Sequence, residues 1–275
     1  MLIEHHPFNV NNKGHLEVGG MDATVLAEKY GTPLYVYDVS IIRSRAREFV
    51  QTFQELGVEA KVAYASKAFS SIAMVQVAKQ ENLYLDVVSE GELYTALQAS
   101  FPTDRIHLHG NNKSREEIEM AIEHEIGCIV LDNFHDIELT SELLAKHNKT
   151  IDVIIRVTPG VELDTHHYIM TGNEDTKFGF DLPNGQAEEA FKLLKNHERM
   201  NFKGLHCHIG SQIFETEGFV LAAKKIVEIL VDWKEKYDLD SEVLNLGGGF
   251  GIRYTEADEP LPPEKYVEAI ILEVK

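Results

Sequence analysis

The sequence predicts a parallel α/β protein, either an open doubly wound sheet or a closed barrel. Three observations carry this. Seven short apolar runs end in polar residues or glycine, at 61–66, 84–89, 105–110, 128–133, 152–158, 204–209 and 242–246. Segments with helical periodicity separate them, and several runs are continuous rather than alternating, as strands covered on both faces require. The length of 275 residues suits one α/β barrel, which needs about 250.

The elements follow in order. Residues 30–38 (YGTPLYVYD) hold a turn signal and then an apolar run opened by Pro33, as in an edge strand. Residues 1–38 are therefore expected to belong to a separate β element. Ile42, Ala46, Phe49, Val50 and Phe53 share one helical face. Ser114 and Glu117 have capping-box spacing ahead of Ile118, Ala121 and Ile122. Phe219, Ala222, Ala223, Ile226, Leu230 and Trp233 form another stripe, and Pro262-Pro263 opens a helix carrying Val267, Ile270 and Ile271. All these stripes are expected to be core. Glu273-Val274-Lys275 lies inside the helix after the seventh strand. A closed barrel of this type needs eight strands, so the last is expected on a longer polypeptide or a second chain.

Composition narrows the partners. The formal charge is −19, from 26 basic and 45 acidic residues, which argues against nucleic acid or an anionic membrane surface as the main partner. Any anionic ligand must be held by local donors. No apolar run approaches the ~18 residues that span a bilayer, and the N-terminus has no signal pattern. Cys128 and Cys207 both lie in strand-like runs, which fits two reduced, buried thiols and a cytoplasmic setting.

Functional groups of a parallel barrel gather at the C-terminal ends of its strands. There the sequence places Lys67, Asp86 with Ser89-Glu90-Gly91, His109-Gly110-Asn111-Asn112-Lys113, Arg156, the His206/His208 pair with Ser211, and Gly247-Gly248-Gly249-Phe250-Gly251. Lys67 follows an apolar strand. It is either a solvated lysine at a loop start or a desolvated nucleophile of lowered pKa. The three glycines expose backbone N–H groups to a phosphate or make a tight turn, and their spacing is not a dinucleotide fingerprint. His206 and His208 face the same way in a strand and Cys207 faces away, so this segment supplies no three-ligand metal cluster. They are interior histidines, a metal pair awaiting carboxylates, or a ring stacked on a flat cofactor, with His208 nearer the mouth. The long polar stretch 159–176 after the fifth strand reads as a lid.

These motifs, taken together, resemble diaminopimelate decarboxylase. YASKA around Lys67, DVVSEGEL (86–93), HGNNKS (109–114), RVTPG (156–160), HHYIMTG with KFGF (166–180), GLHCHIGSQ (204–212) and LNLGGGFG (244–251) each match a family motif, in the family's order. The resemblance covers nearly the whole chain but about the first two thirds of a typical member. It implies an alanine-racemase-like fold, a (β/α)8 TIM-type barrel at 39–275 that is incomplete here, with 1–38 contributing to a separate β-domain. It implies pyridoxal 5'-phosphate held as a Schiff base on Lys67 and decarboxylation of meso-diaminopimelate to L-lysine and carbon dioxide. His208 would lie on the ring face. Gly247, Gly248, Gly249 and Ser211 would hold the phosphate, while Asp86 and Arg156 line the pocket. No metal is implied. A cytoplasmic homodimer with shared active sites is.

The family's Glu-Pro-Gly-Arg motif, its proton-donor cysteine and a later tyrosine are absent from these residues, so the chain alone is expected to be inactive. Neither Cys128 nor Cys207 sits in the cysteine motif. Competing readings are an ornithine, lysine or arginine decarboxylase of the same fold, a racemase, a non-catalytic pyridoxal-phosphate carrier and a metal-dependent barrel hydrolase.

Overall fold

The protein was analysed as a computed structural model that describes residues 9–161, 177–239 and 241–275. Three short strands, β1 (Asn9–Val10), β2 (Leu16–Val18) and β3 (Met21–Asp22), form an antiparallel sheet. Helix α1 (Ala23–Tyr30) follows, its first turn capped by the Asp22 carboxylate, which accepts from the Thr24 amide.

The edge strand expected within 30–38 is not formed. Residues 31–38 carry no strand, and Tyr35 is 88% exposed. Leu34, Tyr35, Val36 and Tyr37 have the composition of a strand but, among the described residues, no ladder to pair with. Strand preference of this kind reflects packing against neighbours more than the backbone itself. The β element of this region is made instead by residues 9–22.

The repeating part begins with α2 (Val39–Glu55), capped by Asp38 through the Ser40 amide. It continues β4 (Ala63–Ala65), α3 (Ile72–Gln80), β5 (Tyr84–Val87), α4 (Glu90–Gln98), β6 (Ile106–Leu108), α5 (Arg115–Glu123) and β7 (Cys128–Leu131). Then come α6 (Phe134–His147), β8 (Ile151–Thr158), β9 (Phe180–Asp181), α7 (Gln186–Leu194), β10 (Met200–His206), α8 (Glu217–Tyr237), β11 (Val243–Asn245) and α9 (Pro263–Val274). The strands pair in parallel in the order β11-β10-β8-β7-β6-β5-β4, each followed by a helix. This is the order of a TIM-type barrel, and the seven expected strands are all present. The unforeseen β9 lies off this path and pairs with the end of β8, Val157 opposite Phe180 and Thr158 opposite Asp181.

Burial explains the continuous runs. All four residues of β7 are buried, and β8 is buried along nearly its whole length, because helices cover one face and the barrel interior the other. The α5 capping box forms as expected, with Ser114 and Glu117 each bonding the other's backbone N–H. Phe219, Ala222, Ala223, Ile226 and Trp233 of α8 are buried, whereas the α2 stripe is only half-buried. Helix α2 packs on α9, and α9 on α8. Cys128 and Cys207 are free and buried; burial pushes the Cys207 thiol up to about 12. No described helix is long and apolar enough to cross a membrane.

Candidate active site

The polar side chains collect at the C-terminal ends of the strands. Lys67 occupies a one-turn 3-10 helix, Ser66–Ala68, directly after β4. That turn is fixed from below. Buried Ser66 places its Oγ 2.8 Å from the Asp86 carbonyl and 2.7 Å from Glu92 Oε2, which also accepts from the Val88 amide at 2.9 Å. Glu92 escaped the sequence reading. Its signal was available: Ser89 caps α4 and Glu92 stands at the third helical position, the spacing of a capping box. Here the carboxylate turns toward Ser66 instead of its own cap. Lys67 itself is exposed. Its charge is felt by His208.

His206 and His208 have different surroundings. His206 ends β10, is buried, and has Nδ1 3.2 Å from the Asn245 carbonyl. His208 lies two residues beyond, half-buried under the glycine run. Burial lowers its pKa to about 4, helped by the positive charges of Arg156 and Lys67. Its imidazole is therefore neutral at pH 7. Burial likewise pushes the pKa of His206 well down.

Gly247 and Gly249 are obligatory for packing. They have φ of +71° and +102°. A Cβ on Gly247 would stand 2.6 Å from the Cys207 carbonyl oxygen and 3.1 Å from His208 Nδ1; one on Gly249 would stand 1.9 Å from the Gly210 carbonyl oxygen. A Cβ on Gly248 meets nothing within 4 Å. The run is thus pinned on one side against the loop after β10 and open on the other. Ser211 is exposed on that loop, which pairs with the run through the Ile213 amide to the Gly249 carbonyl and the Gly251 amide to the Ile213 carbonyl.

The remaining groups line the barrel interior. Asp86 Oδ1 lies 3.4 Å from His107 Nδ1 and 3.4 Å from His109 Nε2. Burial acts against its carboxylate, but His109 and His107 outweigh that and hold its pKa well below the usual range. Arg156, 9% exposed, stands opposite His206 in register, 3.6 Å from Asp132, with its guanidinium 4.3 Å over the Phe178 ring. Asp132 accepts from the Gly179 amide at 3.0 Å, and Asn111 donates to the Lys177 carbonyl at 3.0 Å. Lys113 lies in the loop after β6, as the sequence suggested, but is not free for a ligand. It is buried in a 2.7 Å ion pair with Asp136. Of the expected lid, residues 162–176 lie outside the described residues.

These residues fit pyridoxal phosphate. The glycine run is closed behind and open in front at Gly248, so its backbone can approach a phosphate. A neutral imidazole beside it suits a flat ring, and Lys67 offers an accessible amine.

Comparison with known proteins agrees. Residues 39–275 match the family described as pyridoxal-dependent decarboxylase, pyridoxal binding domain. The chain is 61% identical over 271 residues to a diaminopimelate decarboxylase of Bacillus methanolicus and 62% identical over 274 residues to that of Bacillus subtilis strain 168. These alignments take in 98% and 100% of the chain but only 63% and 62% of the relatives' own lengths. Among solved structures, a diaminopimelate decarboxylase of M. jannaschii in complex with L-lysine superposes with a TM-score of 0.90 at 35% identity, over 97% of this chain and 62% of that one. One from Helicobacter pylori, also complexed with L-lysine, gives 0.85 at 27% identity, over 92% and 63%. The chain belongs to the pyridoxal-dependent decarboxylases and carries their pyridoxal binding domain.

Proposed function

We propose that this chain is the cofactor-bearing part of an enzyme that decarboxylates meso-2,6-diaminopimelate at its D-centre, giving L-lysine and carbon dioxide in the last step of lysine biosynthesis. One observation supports it above the others: an exposed lysine at a strand end, whose charge reaches a neutral histidine wedged under an open glycine run.

In this reading Lys67 carries the cofactor covalently and yields it to the substrate amine. Bound pyridoxal phosphate supplies an electron sink for the charge left when carbon dioxide departs. His208 presents an uncharged ring for stacking. Gly247, Gly248, Gly249 and Ser211 hold the phosphate, and Asp86 and Arg156 line the pocket. The Ser66–Glu92 contact keeps the Lys67 turn in place. Residues 39–275 form the barrel domain and 1–38 part of a β-domain. The enzyme is a cytoplasmic homodimer with active sites shared across its interface. The names of the most similar relatives favour diaminopimelate over ornithine, lysine or arginine.

The cofactor test is direct. Purified protein incubated with pyridoxal phosphate should develop a visible Schiff-base absorbance, and borohydride reduction should fix the label on the peptide containing Lys67. Lys67→Ala should abolish both. Labelling of a different lysine refutes the assignment. For the substrate, carbon dioxide release by a full-length protein carrying this domain should be far faster from meso-diaminopimelate than from ornithine, lysine or arginine.

A further inference from the structure

We propose that Asp86, His107 and His109 form a binding site for a divalent cation of the zinc class inside the barrel, at the C-terminal ends of β5 and β6. β5 and β6 run in parallel register with Asp86 opposite His107. Residues two apart in a strand face the same way, so His107 and His109 both reach the same carboxylate. The two 3.4 Å separations from Asp86 Oδ1 are long for hydrogen bonds. They equal the edge of a tetrahedron whose centre is about 2.0–2.1 Å from each nitrogen or oxygen, the bond length of zinc to imidazole and carboxylate, which gives an edge of ~3.4 Å.

The three atoms share a second property. Asp86 Oδ1, His107 Nδ1 and His109 Nε2 are all buried without a hydrogen-bond partner. His109 is only 8% exposed. Buried polar atoms are nearly always paired, and three converging exceptions point to an ion. The alternative is a plain ion pair between Asp86 and two protonated imidazoles. That arrangement draws charge-assisted contacts in to about 2.7–2.9 Å rather than leaving them at the longer separation seen here.

Neighbouring groups define the site. His206 meets the His109 ring edge-on at 4.9 Å and directs Nδ1 to Asn245, so it packs against the ligands without joining them. The other described carboxylate–imidazole group, Glu119, Glu123 and His147, differs because Glu119 already bonds Lys146 and His147. Two imidazoles and one carboxylate leave a fourth position open for water or an added ligand. The site shares Asp86 with the proposed cofactor pocket but does not use Lys67, and zinc binding to the cofactor-free protein is read without any turnover.

Zinc titration of the purified, cofactor-free protein, competed with a chromophoric chelator in phosphate-free buffer, should show stoichiometric binding. His107→Gln and His109→Gln should each weaken it at least about tenfold. Cobalt(II) should give the intense visible bands of a four-coordinate site, lost in His107→Gln. Glu119→Gln should change neither result. Failure of the unmutated protein to bind zinc, a pale six-coordinate cobalt spectrum, undiminished affinity in His107→Gln, or loss of binding in Glu119→Gln each overturns the proposal. The cobalt spectrum of the unmutated protein decides the matter even where a variant does not fold.

Discussion

Replacing Asp136 by alanine should destabilise the fold by about 3–5 kcal/mol, the cost of stranding one member of a buried ion pair. Lys113 and Asp136 are each 1% exposed at the side chain, with Nζ 2.7 Å from Oδ2. The ammonium keeps only the Gly110 carbonyl, at 2.6 Å, once the carboxylate is gone. The Asp132 amide, 3.0 Å from the same Oδ2, loses its acceptor too. A domain of this size loses ~2–4 °C in melting temperature per kcal/mol, so the midpoint should fall by roughly 6–20 °C. Thermal and urea denaturation followed by circular dichroism give the comparison. The double change Lys113→Met with Asp136→Leu should recover most of the loss, because no buried charge is left uncompensated. A single variant within about 1 kcal/mol of the parent, or a double variant as unstable as the single, refutes the reasoning.

Two further outcomes follow from the site. His208 has a folded pKa of about 4 against an ordinary 6.5, so between those values the unfolded chain takes up a proton that the folded chain refuses. Stability should therefore be full above pH 6.5 and decline as pH falls toward 4, by up to ~1.4 kcal/mol per unit from this group; urea midpoints across that window should flatten in His208→Gln. Gly249→Ala forces a Cβ against the Gly210 carbonyl at φ +102° and should cost about 1–3 kcal/mol, whereas Gly248→Ala should leave the urea midpoint unchanged yet weaken cofactor binding measured by equilibrium dialysis.

The barrel was legible because its signal is local. Each strand is a short apolar run, and burial on both faces requires no alternation, so β7 and β8 could be read residue by residue. Capping chemistry is local as well, and Ser114 with Glu117 was found on spacing alone. What failed depended on distant partners. Leu34 to Tyr37 looked like a strand, but strand formation needs a neighbour, and among the described residues none pairs with them. Helix α1 was missed because none of its residues is buried, which leaves no apolar stripe to recognise. The burial of Lys113 was not legible because Asp136, its partner, lies 23 positions away. In the site, Lys67, His208 and the glycines announced themselves at strand ends. His107 did not, because it sits within β6 rather than at its end, and only the register with β5 brings it to Asp86.

The backing of the glycine run has a wider meaning. Phe250, the residue after the run, stacks on Phe49 of α2 at 5.6 Å and lies 4.9 Å from Phe219 of α8 and 4.7 Å from Tyr266 of α9. The Tyr266 hydroxyl in turn lies 3.0 Å from each of the Ile213 and Phe214 carbonyls, which share its one O–H. The glycine run and the joint between α2 and α9 thus share a single aromatic keystone. A change that slackens the helical wall at Phe49 or Tyr266 therefore reaches the backbone of the glycine run through Phe250.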